Sequence, residues 1–226
     1  MTTALPLPLP APVLILLRHG NTFRAGETPV MVGAKTDLPL TEEGEAQAHA
    51  SADFLTTALA KVPPAGIVAG PLLRTRRFAE MLSERLGTAW QVDERLRELD
   101  YGAWEGLSSA LIVERFGAEG LAAWENQGIF PEDAGWNPPF AEVSSLVRSF
   151  LAERHAALTA VPPSEKPPTS IAVTSNGLLR VIYALVTGKA PGTQAKVRTG
   201  GLCALAPESG GAWSIVVWNR ATPNPK

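Results

Sequence analysis

One stretch constrains this chain more than any other: Val13-Leu14-Ile15-Leu16-Leu17-Arg18-His19-Gly20-Asn21-Thr22. Five continuous apolar residues predict a buried strand, because a run this short and unbroken suits a sheet covered on both faces. Polarity then switches abruptly to Arg-His-Gly-x-Thr. Open α/β sheets hold their ligands at the carboxyl ends of their strands, which is where Arg18 and His19 fall. Gly20 is expected to let the backbone turn and approach a ligand closely, and Thr22 adds a hydroxyl beside freed amides. A histidine next to a planar, permanently charged fork suits nucleophilic attack on an anion that the fork has docked. The same residues also suit a solvated arginine and a structural histidine, so the rest of the chain has to decide.

Length and charge narrow the classes. A chain of 226 residues suits one domain, or one domain with an inserted cap. Twenty basic and 22 acidic residues leave a formal net charge of −2, which gives no global field to recruit nucleic acid or an anionic membrane. Cys203 is the sole cysteine, so neither an intrachain disulfide nor a thiolate metal cluster can form. His19, His49 and His155 lie far apart without carboxylates at ligand spacing, and no metal is expected. Residues 1–12 carry prolines at 6, 8, 10 and 12 and no basic n-region, which predicts an extended lead-in rather than a signal peptide. No apolar run approaches membrane-spanning length, so the expected location is the cytoplasm.

Residues 13–226 are then expected to form one domain. Thr41, followed by Glu42, Glu43 and Glu45, is a plausible N-cap with acidic residues at the positive end of a helix. Pro63-Pro64 ends that helix, and Ile67-Val68-Ala69 predict a second strand. Gly70 to Ala79 then opens a helix carrying Arg74 near its first turns. Arg76 and Arg77 are expected to be solvated, and His49 to be a surface or packing residue. Trp90-Gln91-Val92 predicts a third strand. Residues 107–140, rich in Gly and Pro and carrying Trp124, Phe130, Trp136 and Phe140, are expected to be a cap. Its aromatics would mostly form its own small core, while some could line a pocket for an organic leaving group. An amphipathic helix over 142–158, a surface loop over 162–168, a strand over 170–174, a helix from 175 and a closing hairpin (201–206 with 213–218) complete the order. This alternation predicts a three-layer α/β/α sandwich with a mostly parallel sheet. His19, Arg74 and Ser175 each follow a strand, so one crevice can hold all of them.

Several of these stretches together resemble the histidine phosphatase superfamily, the phosphoglycerate mutase-like family. Arg18-His19-Gly20-Asn21-Thr22 matches its Arg-His-Gly-x-Thr signature, and Pro39-Leu40-Thr41-x-x-Gly44-x-x-Gln47-Ala48 its first helix start. Pro71, Leu72, Arg74 and Thr75 match Ser-Pro-Leu-x-Arg-Ala/Thr, with Gly70 in place of serine. Leu96-x-Glu98-x-x-x-Gly102-x-x-Glu105-Gly106 matches the stretch that carries the family's general acid, and Trp104 leans towards the phosphatase branch. There are departures. Ala25 stands where the family often has asparagine, and only Glu142 remains of its Gly-Glu-Ser helix start. In the second signature, Val-x-His-Gly-x-x-x-Arg, Val173 and Arg180 are in place, whereas Ser175 replaces the second histidine and Asn176 the glycine.

The resemblance implies a phosphoglycerate mutase-like fold with the cap over the active site, and a metal-independent phosphomonoester hydrolase without a cofactor. His19 would be phosphorylated, Glu98 would be the general acid and base, and Arg18, Asn21, Thr22, Arg74, Ser175 and Asn176 would bind the phosphoryl group. Losing one good oxyanion donor costs roughly 10²–10³ in rate, so the missing histidine predicts attenuated turnover rather than none. The rival reading is a module that binds phosphate or a phosphorylated ligand without turnover. A mutase ranks third, because it needs a long-lived phosphohistidine. Expected partners are a small-molecule phosphomonoester, with a homodimer left open, and neither nucleic acid nor membrane.

Overall fold

The five apolar residues do lie at the centre. In the computed structural model, which describes residues 12–60, 62–160 and 168–222, β1 (Val13–Arg18) has Val13 to Leu17 fully buried. It pairs in parallel with β4 (Thr169–Thr174) on one side, Val13 facing Thr169 and Arg18 facing Thr174. On its other side it pairs antiparallel with β5 (Leu202–Pro207), Leu14 facing Leu205. With β2 (Gly66–Ala69), β3 (Trp90–Val92) and β6 (Trp213–Arg220), the sheet runs β3-β2-β4-β1-β5-β6. Its β3-β2-β4-β1 half is parallel, and β5 and β6 close it as an antiparallel pair.

Side chains of successive strand residues point to opposite faces, and the packing shows it. Val13, Ile15 and Leu17 pack with Ile67, Ile171 and Val173 against α1 (Glu42–Ala58) and α2 (Leu73–Leu86). Leu14 and Leu16 pack with Val68 and Ala172 against α5 (Phe140–Thr159) and α6 (Asn176–Thr187). The expected sandwich is therefore present, with a helical layer on each face. Thr41 caps α1 as its sequence predicts, its hydroxyl accepting from the Gly44 amide at 3.2 Å.

Two local expectations change. Gly20, expected to let the backbone turn and approach a ligand closely, makes its close approach to α1 and lets that helix reach the end of β1. A Cβ on Gly20 would overlap the Gly44 backbone, and one on Gly44 would overlap the Asn21 carbonyl. The two glycines face each other, and Asn21 O accepts from the Thr41 amide at 3.0 Å across the same contact. Phe140, read from sequence as part of the cap, is instead the first residue of α5.

The span 107–139 holds α3 (Ser109–Phe116) and α4 (Ala118–Gln127). Its aromatics join residues of the main domain rather than one another alone. Trp136 meets Tyr101, Trp124, Phe130 and Trp104 with ring centroids 4.7, 4.8, 4.9 and 5.3 Å apart. The edge-to-face geometries among them are the favoured ones for aromatic pairs. The proline-rich lead-in, up to Ala11, and residues 162–167 of the expected surface loop lie outside the described residues. Among the described residues no helix is long and apolar enough to cross a membrane.

Candidate active site

β2, β4 and β1 are neighbours in the sheet and parallel, so their carboxyl ends open on one side. From these ends come Arg74 on the first turn of α2, Asn176 at the start of α6, and Arg18 and His19. They line one cavity of about 470 Å³ together with Asn21, Thr22, Glu98, Tyr101, Trp124 and Arg180. Of the three residues expected to meet from strand ends, His19 and Arg74 line this cavity and Ser175 does not.

His19 is fixed through its backbone and its ring. Its amide donates to Thr174 O at 3.1 Å, and its carbonyl accepts from the Gly200 amide at 3.1 Å. Ring Nδ1 lies 2.8 Å from Gly20 O, a pure acceptor, so Nδ1 carries the proton and Nε2 presents a lone pair. Burial, then the charges of Arg18 and Arg74, push its pKa well below the ordinary imidazole value. The ring is therefore neutral at physiological pH, as a nucleophile requires.

The guanidiniums are held from behind. Arg18 Nη1 donates to Val197 O at 2.6 Å, while Arg74 donates from Nη1 to Thr36 O (2.9 Å) and from Nη2 to Gly33 O (3.1 Å). Both sit below the usual guanidinium pKa through burial, yet an arginine stays charged in a protein. The Nε of each is sealed from solvent and takes no hydrogen bond among the described residues. Both guanidiniums line the cavity and carry positive charge, which suits an oxyanion ligand.

Glu98 is 6 % exposed, and burial raises its pKa above the ordinary carboxyl value against four weaker lowering influences. Two of these are amide donors: Leu99 N to Oε1 at 2.9 Å and Gly177 N to Oε2 at 3.1 Å. The other two are the charges of Arg74 and Arg18. A Cβ on Gly177 would overlap Oε1, so that glycine shapes the seat of the carboxyl group. A carboxyl group placed this way can hold a proton and release it to an adjacent oxygen.

The remaining expected residues divide. Asn176 lines the cavity, and its Oδ1 accepts from Val197 N at 2.9 Å, which leaves its NH₂ group for a ligand. Asn21 and Thr22 line the wall, Asn21 N donating to Gln47 Oε1 at 2.9 Å. Ser175 is fully buried behind the wall rather than part of it, and its hydroxyl finds no partner among the described residues. Outside the site, Arg76 is exposed, Arg77 pairs with Glu45 and Glu80 at the surface, His49 is exposed, and His155 packs on Trp213.

Sequence reasoning named neither Tyr101 nor Arg180 as a site residue, and it placed Trp124 only among the cap aromatics, some of which could line a pocket. Arg180 stands one helical turn after Asn176, so helix period alone directs it towards the same crevice. Trp124 had no such signal, since its contact with Arg180 spans 56 positions. Glu105 also gains a task, holding the loop that anchors Arg74: it accepts from Lys35 N at 3.1 Å and the Thr36 hydroxyl at 2.6 Å.

A sheet with this order, opening on an Arg-His pair, a second arginine and a buried glutamate, defines a class. The model of the histidine phosphatase superfamily (branch 1) matches residues 14–221, and the chain belongs to that superfamily. It is 32 % identical over 184 residues to glucosyl-3-phosphoglycerate phosphatase of Mycobacterium tuberculosis, spanning 79 % of this chain and 76 % of that protein. It is 32 % identical over 155 residues to 2,3-bisphosphoglycerate-dependent phosphoglycerate mutase of Corynebacterium diphtheriae, spanning 67 % and 58 %. Among solved structures, mycobacterial glucosyl-3-phosphoglycerate phosphatase in complex with inorganic phosphate superposes with a TM-score of 0.74 at 28 % identity, covering 93 % of this chain and 98 % of that one.

Proposed function

We propose that this protein is a phosphomonoester hydrolase that works through a phosphohistidine on His19. One observation carries the reading: a buried neutral imidazole, pinned at Nδ1 by Gly20 O, offers Nε2 to the cavity that Arg18, Arg74 and Glu98 line. The relationship to phosphatases supports it.

The arginines clamp the phosphoryl oxygens and hold phosphorus in line with Nε2. Nε2 attacks, the P–O bond to the leaving group breaks, and the proton on Glu98 passes to the departing oxygen. The resulting Glu98 carboxylate then takes a proton from water, whose oxygen attacks phosphorus. The P–N bond breaks, and inorganic phosphate and neutral His19 are released. Guanidiniums, the Asn176 amide and the α6 N-terminus supply charge stabilisation that a second imidazole shares in the full family pattern. Ser175 carries no imidazole and lies behind the cavity wall, so turnover is attenuated. Domain limits of 13–226, with 107–139 as cap, and action without a metal ion belong to the same proposal.

Hydrolysis of p-nitrophenyl phosphate by wild type and His19→Ala tests it. Wild type should hydrolyse the ester and the variant should fall to the buffer rate. Equal background rates for both would favour a module that binds phosphorylated ligands without turnover.

A further inference from the structure

A second cavity adjoins the catalytic one at Glu98. Its volume is about 320 Å³, and Glu98 belongs to its wall as well as to the wall of the catalytic cavity. The segment from Glu98 to Asp100 therefore forms the partition between the two spaces. Backbone hydrogen bonds hold that segment in place. The Ala34 amide donates to Leu99 O at 2.9 Å, and the Asn137 amide donates to Asp100 O at 3.2 Å. The Leu99 and Gly177 amides seat the Glu98 carboxyl group itself. Nothing in the phosphoryl-transfer chemistry uses the second space.

Its lining says what could enter. Leu99, Pro138, Val143, Leu146 and Leu178 give it apolar walls, drawn from the partition, α5 and α6. Leu99, Val143 and Leu178 are buried, whereas Leu146 is 41 % exposed, so the cavity opens to solvent beside α5. The charged residues of the wall are matched within the protein. Arg97 pairs with Glu94 at 2.6 Å, Arg95 with Asp93 and Glu153, each at 2.6 Å, and Asp100 with Lys35 at 2.7 Å. A charged ligand would lose water there and find no unmatched partner among the described residues, which selects a neutral one. Asn137 supplies a polar anchor, since it is exposed and its side chain takes no hydrogen bond among the described residues. The volume is near the lower end for small-molecule sites, so it admits a fragment-sized molecule and neither a helix nor a strand.

We infer that this second cavity is a regulatory site for a small uncharged organic molecule with an apolar body, whose occupancy is felt at Glu98. Binding stands on the cavity alone, whereas the regulatory effect rests on the hydrolase reading, in which Glu98 is the general acid. Filling the cavity displaces water from the second side of the partition, and burial is already the largest influence on that carboxyl group. On the catalytic side Arg18, Arg74, Tyr101 and Arg180 act on it, with the Leu99 and Gly177 amides. The second cavity adds Glu94, Arg95, Arg97 and Asp100. A neutral occupant changes the charge of none of them. What remains is added desolvation, which favours the protonated carboxyl group and carries proton donation to higher pH.

Benzamide is the probe, with a ring for the apolar walls and a neutral amide for Asn137. In amide NMR spectra it should perturb Leu99, Asn137, Val143, Leu146 and Leu178 saturably, with a Kd in the millimolar range, whether or not inorganic phosphate is present at saturation. Leu146→Asp, at a half-exposed position, should weaken binding about tenfold or more. If that variant does not fold, Leu146→Trp, which fills the space instead of charging it, takes its place with the same expectation. At saturating benzamide the alkaline limb of kcat/KM for glycerol 3-phosphate should move to higher pH by about 0.5 or more, while the acid limb set by His19 stays. Absence of saturation, displacement by phosphate, or a Kd unaltered by the Leu146 substitution would each overturn the site, and an unmoved alkaline limb would overturn its link to Glu98. Perturbations at the same residues that follow protein concentration instead of benzamide would assign the cavity to a second copy of this chain, and that also overturns the inference. Should wild type leave glycerol 3-phosphate intact, the hydrolase reading fails by itself, and the NMR titration still decides the site.

Discussion

His19 and Glu98 are shifted in opposite directions, and each shift moves its working form towards the pH range of the other. Lowering the imidazole keeps it neutral at a pH where an ordinary histidine would be charged, and raising the carboxyl keeps it protonated where an ordinary glutamate would be ionised. Falling pH ends nucleophilic attack as it crosses the depressed His19 pKa, and rising pH ends proton donation as it crosses the raised Glu98 pKa. The kcat/KM for an alkyl phosphate should therefore trace a bell, with His19 setting its acid limb and Glu98 its alkaline limb. Glu98→Gln should lose the alkaline limb and about 10²–10⁴ in rate on that ester. An unchanged profile in Glu98→Gln would remove Glu98 from the reaction. Ser175 gives a second prediction, because its buried hydroxyl has no partner among the described residues. Ser175→Ala should gain about 1 kcal/mol in denaturant unfolding by removing an unmet polar group, and should leave kcat unchanged because the hydroxyl lies behind the cavity wall. A fall in kcat would instead place Ser175 in the chemistry. At this scale the sequence made the reacting groups legible, since Arg18-His19 and Glu98 sit in short motifs. It hid what holds them. The carbonyls of Gly33 and Thr36 that orient Arg74 are backbone atoms 38 or more positions away, and no side-chain pattern encodes them.

The helix starts at the sheet's carboxyl edge impose limits that single residues do not. α6 begins so close to Glu98 that a Cβ on Gly177 would overlap Oε1 and lie 2.5 Å from the Tyr101 hydroxyl. Gly177→Ala should push the carboxyl group out of its seat, lowering kcat by at least about 10² while costing about 1–3 kcal/mol of stability. Gly66→Ala in β2, where a Cβ meets nothing within 4 Å, is the control and should change neither. Similar losses in both variants would show that the effect is not local to Glu98. β1, α1, α2 and β4 were legible because each pairs a clear apolar period with a boundary residue such as Thr41 or Pro63. The reason for Gly20 was not, because its partner Gly44 lies across a helix–strand contact that neither segment reveals alone. Phe140 reads as part of the cap because it closes the loose Gly- and Pro-rich stretch, and only the structure shows α5 beginning on it.

A chain with a net charge of −2 conceals, at the scale of the whole molecule, a cavity whose inner wall carries Arg18, Arg74 and Arg180 beside the single buried carboxyl group of Glu98. Composition cannot show this, because the field depends on which strand ends are neighbours. The order β2-β4-β1 creates that neighbourhood, and the alternation of elements predicted a parallel sheet without predicting the order. Concentrated guanidiniums repel one another, so the ligand-free fold carries an electrostatic load that an anion relieves. Inorganic phosphate should therefore stabilise the native state by mass action, by about 2.7 kcal/mol at a concentration 100 times its Kd. For a protein of this size that is a rise in Tm of roughly 5–10 °C. Arg74→Met should abolish most of the rise, because it removes one of the two cations flanking His19, whereas Arg77→Met at the surface should leave it intact. Chloride at equal ionic strength separates binding from screening, since screening acts on every exposed pair alike. A rise of the same size with chloride, or one that survives Arg74→Met, would mean that the arginines do not meet around one phosphoryl-sized hollow, and the proposed chemistry would lose its foundation.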